Sequence, residues 1–163
     1  MAPPRMSSLF RGSRLVWLPL FFLAFCPSRT EGQLSLVGSA VYTEALQGQW
    51  GIDGRLGVDL SALPVGFFGG VDYFFADCQE ACSLWGWRAG AILHTATPVV
   101  QPYLTGAYLE RVLEERDASQ RHLGLAFGGG IRVEAALQIQ AEATWEFLGG
   151  KLNQWVFRIG LGL

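Results

Sequence analysis

The chain has 163 residues, enough for one domain. Its 12 basic and 14 acidic residues leave a formal net charge of −2, and Lys151 is the only lysine. With no basic patch, nucleic acid is excluded as a partner, and no stretch approaches the ~18 continuous apolar residues of a membrane-spanning helix.

Arg5, Arg11 and Arg14 precede the apolar run Leu15–Phe25. That run is too short to cross a bilayer as a helix, which takes about 20 residues. A basic segment followed by a short apolar one reads as a secretory signal peptide, with Met6 an alternative start. Thr30 and Gly32 put small residues at the −3 and −1 positions, so cleavage is expected after Gly32. Leu23-Ala24-Phe25-Cys26 has bulky Phe25 where a lipoprotein signal needs a small residue. The expected organisation is a leader over 1–32 and one domain over 33–163. That domain carries 8 basic and 13 acidic groups, a net −5.

Eight strands are predicted along this domain, near 34–45, 50–60, 65–76, 84–95, 99–112, 121–133, 136–147 and 153–163. The second is clear: Trp50, Ile52, Gly54, Leu56, Val58 and Leu60 alternate with Asp53, Arg55 and Asp59. Successive strand side chains point to opposite faces, so one face is oily and the other charged. In the third strand Phe67, Phe68, Phe74 and Phe75 fill both faces, and in the fifth Pro102 interrupts the pattern. The sixth and seventh repeat the alternation with parity reversed. Leu123, Leu125, Phe127, Ile131 and Val133 share one face there, as do Ile139, Ala141, Ala143, Trp145 and Phe147. Pairing Val133 with Leu137 sets Ile131 opposite Ile139 and Leu125 opposite Trp145, all on the oily side.

The connectors alternate between short turns and longer loops. Short ones follow strands two, four and six; longer ones hold Cys78 and Cys82, the charged stretch Val112–Gln120, and Gly149-Gly150-Lys151. Transmembrane barrels have short periplasmic turns and longer outer loops. Trp50, Trp85, Trp87, Trp145 and Trp155 all fall near an inferred outer-loop end, as an aromatic girdle at the headgroup level requires. Cys78 and Cys82 of an exported chain most simply form a disulfide; a metal site lacks further ligands nearby.

A water-soluble eight-stranded barrel alternates too, with its apolar row inward. Here the charged row is rich in small residues (Gly86, Gly90, Gly124, Ala126, Gly128, Gly130, Gly160, Gly162), which suits a narrow interior. The apolar row carries no charge in strands two, three, four, six, seven and eight. The expectation is therefore an all-β, eight-stranded antiparallel up-and-down transmembrane β-barrel.

The leader, the eight alternating strands, Pro102-Tyr103-Leu104-Thr105-Gly106-Ala107-Tyr108 and the closing Phe157-Arg158-Ile159-Gly160-Leu161-Gly162-Leu163 resemble the small Gram-negative outer-membrane barrels. That group includes the transmembrane domain of outer membrane protein A. The resemblance implies residence in the outer membrane, lipid and lipopolysaccharide as neighbours, and passage through the barrel-assembly machinery as a monomer. Leu163 stands where the family's final strand normally ends in Phe or Trp.

The inward row supplies Asp53, Arg55, Asp59, Asp72, Arg88, His94, Arg132, Glu142, Glu146 and Arg158. Near-balance of charge in so tight a space predicts mutual pairing that plugs the lumen. The expected role is structural or surface-contacting. The alternatives are a channel for ions or small solutes and a lipid-A-modifying enzyme. No catalytic, cofactor or metal site is expected. His94 and His122 are the only histidines, and no serine lies two residues from either; Ser119 is in the charged stretch. Gly128-Gly129-Gly130 precedes no helix and is not a phosphate loop.

Overall fold

A computed structural model describes residues 32–163 apart from 46–47, 61–62, 76–82, 96, 98, 116–117, 135–136 and 150–152. Residues 1–31 of the expected leader and the pair Cys78/Cys82 lie outside the described residues. Eight strands run in chain order: β1 Gly32–Thr43, β2 Gln49–Leu60, β3 Val65–Phe74, β4 Ser83–His94, β5 Val100–Glu115, β6 Ala118–Glu134, β7 Gln138–Phe147 and β8 Gln154–Gly162. Each pairs antiparallel with its sequence neighbours, and β8 closes onto β1. Two backbone hydrogen bonds between Leu36 and Leu163, of 2.9 and 3.1 Å, carry that seam to the last residue.

Stagger around the barrel follows from the registers. The pairs lead from Gln33 through Asp59, Gly66, Ile92, Thr105, Gly128, Thr144 and Val156 to Thr43, ten residues further along β1. A stagger of this kind requires tilted strands, typically at ~35–45° to the axis, and a cylinder narrow enough for side chains to fill. Alternation along β2 and β8 is nearly unbroken between exposed and buried positions. The phenylalanines of β3 are sorted by the same rule: Phe67 and Phe75 face outward, Phe68 and Phe74 inward.

Two expectations are corrected. Val112–Gln120 is not a loop: β5 continues to Glu115 and β6 starts at Ala118, so this segment is the tip of a hairpin. Of the tip's charges, Glu114 is exposed on the outward row. β7 ends at Phe147, opposite Leu125, while β6 runs on past it to Ala118. The β6–β7 register is also shifted by two residues from the expected one. Val133 pairs with Ile139, Phe127 with Trp145 and Leu125 with Phe147. A two-residue shift keeps every side chain on its face, so the hydrophobic pattern does not distinguish the two registers.

Close packing between β6 and β7 depends on glycine. A Cβ on inward Gly128 would lie 2.6 Å from Thr144 Cα, whereas one on outward Gly54 would meet nothing within 4 Å. Gly128→Ala should therefore cost about 1–3 kcal/mol. Gly54→Ala should stay within about 0.5 kcal/mol. Denaturant unfolding of both variants checks this; equal effects would contradict the register.

Candidate functional site

Inside the cylinder the charged row forms one connected set of ion pairs. β2 contributes Asp53 and Arg55, β3 Asp72, β4 Arg88, β5 Arg111, β7 Glu142 and Glu146, and β8 Arg158; all eight side chains are buried. Four arginines meet four carboxylates, so the set is neutral.

Glu142 is one hub. It accepts from Arg55 Nη1 at 2.8 Å, Arg88 Nη1 at 3.2 Å, Tyr103 Oη at 3.1 Å and Arg158 Nη1 at 3.4 Å. Arg88 donates through Nη2 to Asp53 Oδ1 at 2.8 Å, and Arg55 also donates to Gln140. Arg158 leads to the second hub, with Nη2 donating to Asp72 Oδ2 at 3.2 Å and to Glu146 Oε1 at 3.4 Å. Arg111 grips Glu146 through Nε at 3.0 Å and reaches Asp72 as well. Gln154 Nε2 donates to Glu146 Oε2 at 2.8 Å and itself accepts from Thr43 at 2.6 Å. The guanidinium fork allows each arginine to serve two carboxylates, which a lysine ammonium would do without fixed geometry.

Aromatic rings provide the planes on which these forks rest. Arg55 and Arg88 lie 5.4 and 5.3 Å from the centroid of Phe68, and Arg111 lies 5.2 Å from that of Phe74. The ring face carries negative quadrupole potential and holds the cations from a side where no carboxylate sits. Above Arg111, inward Val41, Phe74, Leu84, Leu113 and Val156 make an apolar cluster. Leu84, Leu113, Leu148 and His122 border a small gap beside Arg111, with about 10 Å³ of room, the size of one water.

Of the sequence-predicted inward residues, Asp53, Arg55, Asp72, Arg88, Glu142, Glu146 and Arg158 meet in this network. Asp59 and Arg132 pair with each other at 2.7 Å near the opposite end, where the Asp59 side chain is 19% exposed. His94 also faces inward at that end, and neither ring nitrogen has a hydrogen-bond partner among the described residues. Arg111 is absent from the predicted set although it is among the most deeply buried side chains. Its strand parity with Tyr103 and Thr105 was the available signal, obscured by Glu110 directly before it.

Outside, the five predicted tryptophans lie near one rim, among other rings. Tyr42 and Trp50 are 5.1 Å apart, Trp145 and Trp155 5.3 Å, and Trp87 and Tyr108 5.9 Å between centroids. Leucine, isoleucine and phenylalanine fill the outward row below them; Ile159, for example, is 68% exposed.

Solved structures share this closed eight-stranded antiparallel barrel. The N-terminal β-barrel domain of Pseudomonas aeruginosa OprF matches with a TM-score of 0.58 at 19% identity, covering 81% of this chain and 98% of that one. The fold is that of the small outer-membrane barrels. Neisserial surface protein A matches with a TM-score of 0.56 at 15% identity, over 79% of this chain and 92% of that one. Ail, the attachment invasion locus protein of Yersinia pestis, matches at 0.54 and 13% identity, over 82% and 97%. No protein-family model matches the chain, and no curated protein matches its sequence. The likeness to these barrels lies in backbone architecture.

Removing one member of the buried set leaves its partners charged and unpaired. Glu142→Gln should cost about 3–5 kcal/mol. Arg132→Gln, beside a partly solvated carboxylate, should cost about 1–2 kcal/mol. Denaturant unfolding in detergent micelles measures both, and a Glu142→Gln effect no larger than that of Arg132→Gln would contradict the hub.

Proposed function

We propose that this chain is an integral outer-membrane β-barrel, its lumen closed by its own side chains, with a role in envelope structure or surface contact. One observation carries the reading: ionised residues are buried around the axis while large apolar side chains cover the outside. Water as the outer solvent would reward the opposite arrangement. A lipid exterior accounts for it, and a closed cylinder leaves no strand edge to satisfy within hydrocarbon. The ring of aromatics at one rim supports the same placement, as a girdle at the headgroup level. Lipid and lipopolysaccharide are then the neighbours, and the barrel-assembly machinery the route of insertion.

Closure of the lumen supports a structural rather than a conducting role. Arginine forks and the Phe68 and Phe74 rings occupy the middle of the cylinder, and the apolar cluster lies above them. Surface contact is supported by the β5–β6 hairpin, which extends beyond the end of β7. Among the neighbours, Neisserial surface protein A and the attachment invasion locus protein carry surface and attachment in their names. Among the described residues, both ring nitrogens of His94 and Nε2 of His122 have no hydrogen-bond partner of the kind that orients a general base.

Planar-bilayer recording of the refolded protein tests closure: no steady conductance is expected, and regular unitary steps would establish a channel instead. Ile159→Arg tests the facing. In lipid vesicles it should destabilise the barrel by about 2–4 kcal/mol, as a cation does near the bilayer midplane. A loss below about 0.5 kcal/mol, the ordinary cost of a surface change in water, would contradict a lipid exterior.

A further inference from the structure

We propose that the outer wall of β5–β6, near the rim, pairs with the same wall of a second copy, Arg121 of each meeting Glu114 of the other. This rests on the membrane reading above and departs from the monomer that the family resemblance implies.

The observation is a break in the outward rows. Among the described strand positions, only Glu110, Glu114 and Arg121 place a charge on the face that is oily elsewhere. A charge turned to lipid is costly, less so near the rim than at the midplane. Glu110 is satisfied within the chain: Trp87 Nε1 donates to its Oε2 at 2.9 Å, and Arg121 Nη1 lies 3.6 Å from its Oε1. Arg121 is not. Its side chain is 73% exposed, and 3.6 Å is long for a charge-assisted hydrogen bond, which leaves most of its donor fork for a further carboxylate. Glu114 is exposed as well; its donors are Ser83 Oγ at 2.9 Å and Trp85 Nε1 at 3.5 Å, neither of them a cation.

The registers place these two charges at one height. Arg121 stands opposite Val112, and Glu114 lies two residues beyond Val112 on β5. Stepping across strands in chain order climbs the wall, since the circuit that starts at Gln33 returns to β1 at Thr43. With strands ~4.8 Å apart, ~3.3 Å per residue and a tilt of ~40°, Arg121 lies about 3 Å above Val112 and Glu114 about 5 Å above it. Sideways they fall on opposite flanks of Val112, about 8 Å apart.

Barrels inserted the same way up can form a closed pair only about a two-fold axis along the membrane normal. Such an axis exchanges left and right and preserves height. Placed over Val112, it brings Arg121 of each copy against Glu114 of its partner, two unlike pairs from one self-complementary patch. The guanidinium fork matches a carboxylate bidentately. Exposed Tyr108 and Leu123 and half-buried Trp85 and Trp87 surround the charges, with the Trp87 and Tyr108 rings 5.9 Å apart. Aromatic and arginine anchors of this kind carry most of the energy of protein contacts. A different partner would have to supply the complementary spacing independently; a second copy supplies it by symmetry.

The test is energy transfer between copies labelled with donor or acceptor dye at Lys151, the only lysine, and reconstituted together in dilute vesicles. The unaltered chain should show transfer that unlabelled chain competes away. Arg121→Glu leaves only acids at the contact and Glu114→Arg only bases, so each variant alone should associate at least about tenfold more weakly. Mixed with each other, the two variants should recover transfer, because every contact then joins unlike charges. The neutral changes Arg121→Gln and Glu114→Gln should weaken association by a smaller factor, and they decide the matter if a reversed charge prevents insertion. No transfer by the inserted unaltered chain, transfer indifferent to these substitutions, or inserted charge-reversed variants that do not recover on mixing would each overturn the dimer. Failure of the unaltered chain to enter vesicles would overturn the membrane reading itself.

Discussion

Charges enclosed in a narrow cylinder must find their opposites inside it. Four arginines and four carboxylates drawn from β2, β3, β4, β5, β7 and β8 meet this requirement with hydrogen bonds on most of their polar atoms, while Asp53 Oδ2, Arg88 Nε and Arg158 Nε have no partner among the described residues. Ion pairs of this kind contribute little net stability over apolar packing, because desolvation offsets the attraction, but losing one partner is costly because it leaves a buried charge unpaired. Hydrophobic parity accepts either of two β6–β7 registers; in the observed one Glu142 faces Gly130 on β6, and on its other side it faces Arg158 of β8.

From that constraint the remaining features follow. Since the interior takes the charges, the exterior keeps an uncharged row on most of its circumference, and the side chains there are the large ones. An arrangement that is inverted relative to a soluble barrel is stable only where the solvent is hydrocarbon. The aromatic rim marks where that solvent ends. Beyond it β5 and β6 continue as a hairpin whose outward residues Glu114 and Ser119 are polar.

Much of this was legible in the sequence because a strand's period of two is a local property. Parity alone sorts Ile52 from Asp53 and Trp145 from Glu146, and it places the eight strands to within a few residues. Three things were not local. The β6–β7 register is invariant to a two-residue slide. Arg111 follows Glu110, so charge appears on both faces of β5 and the alternation there is lost, taking with it the most connected arginine near the rim. The hairpin tip reads as a loop for the same reason, since polar residues on its outward face resemble a solvated turn. Nor does a one-dimensional pattern show that Phe68 and Phe74 serve as floors for guanidinium groups. That role exists only once β3 is rolled against β2, β4 and β5.

Fluorescence quenching of the tryptophans in vesicles of bromine-labelled lipid tests the central claim most directly. With apolar rows against acyl chains and Trp50, Trp145 and Trp155 at the rim, quenching should be strong and greatest for bromines nearest the headgroup. Emission indifferent to bromine at every depth would mean that these rings never touch hydrocarbon, and the inverted barrel would be wrong.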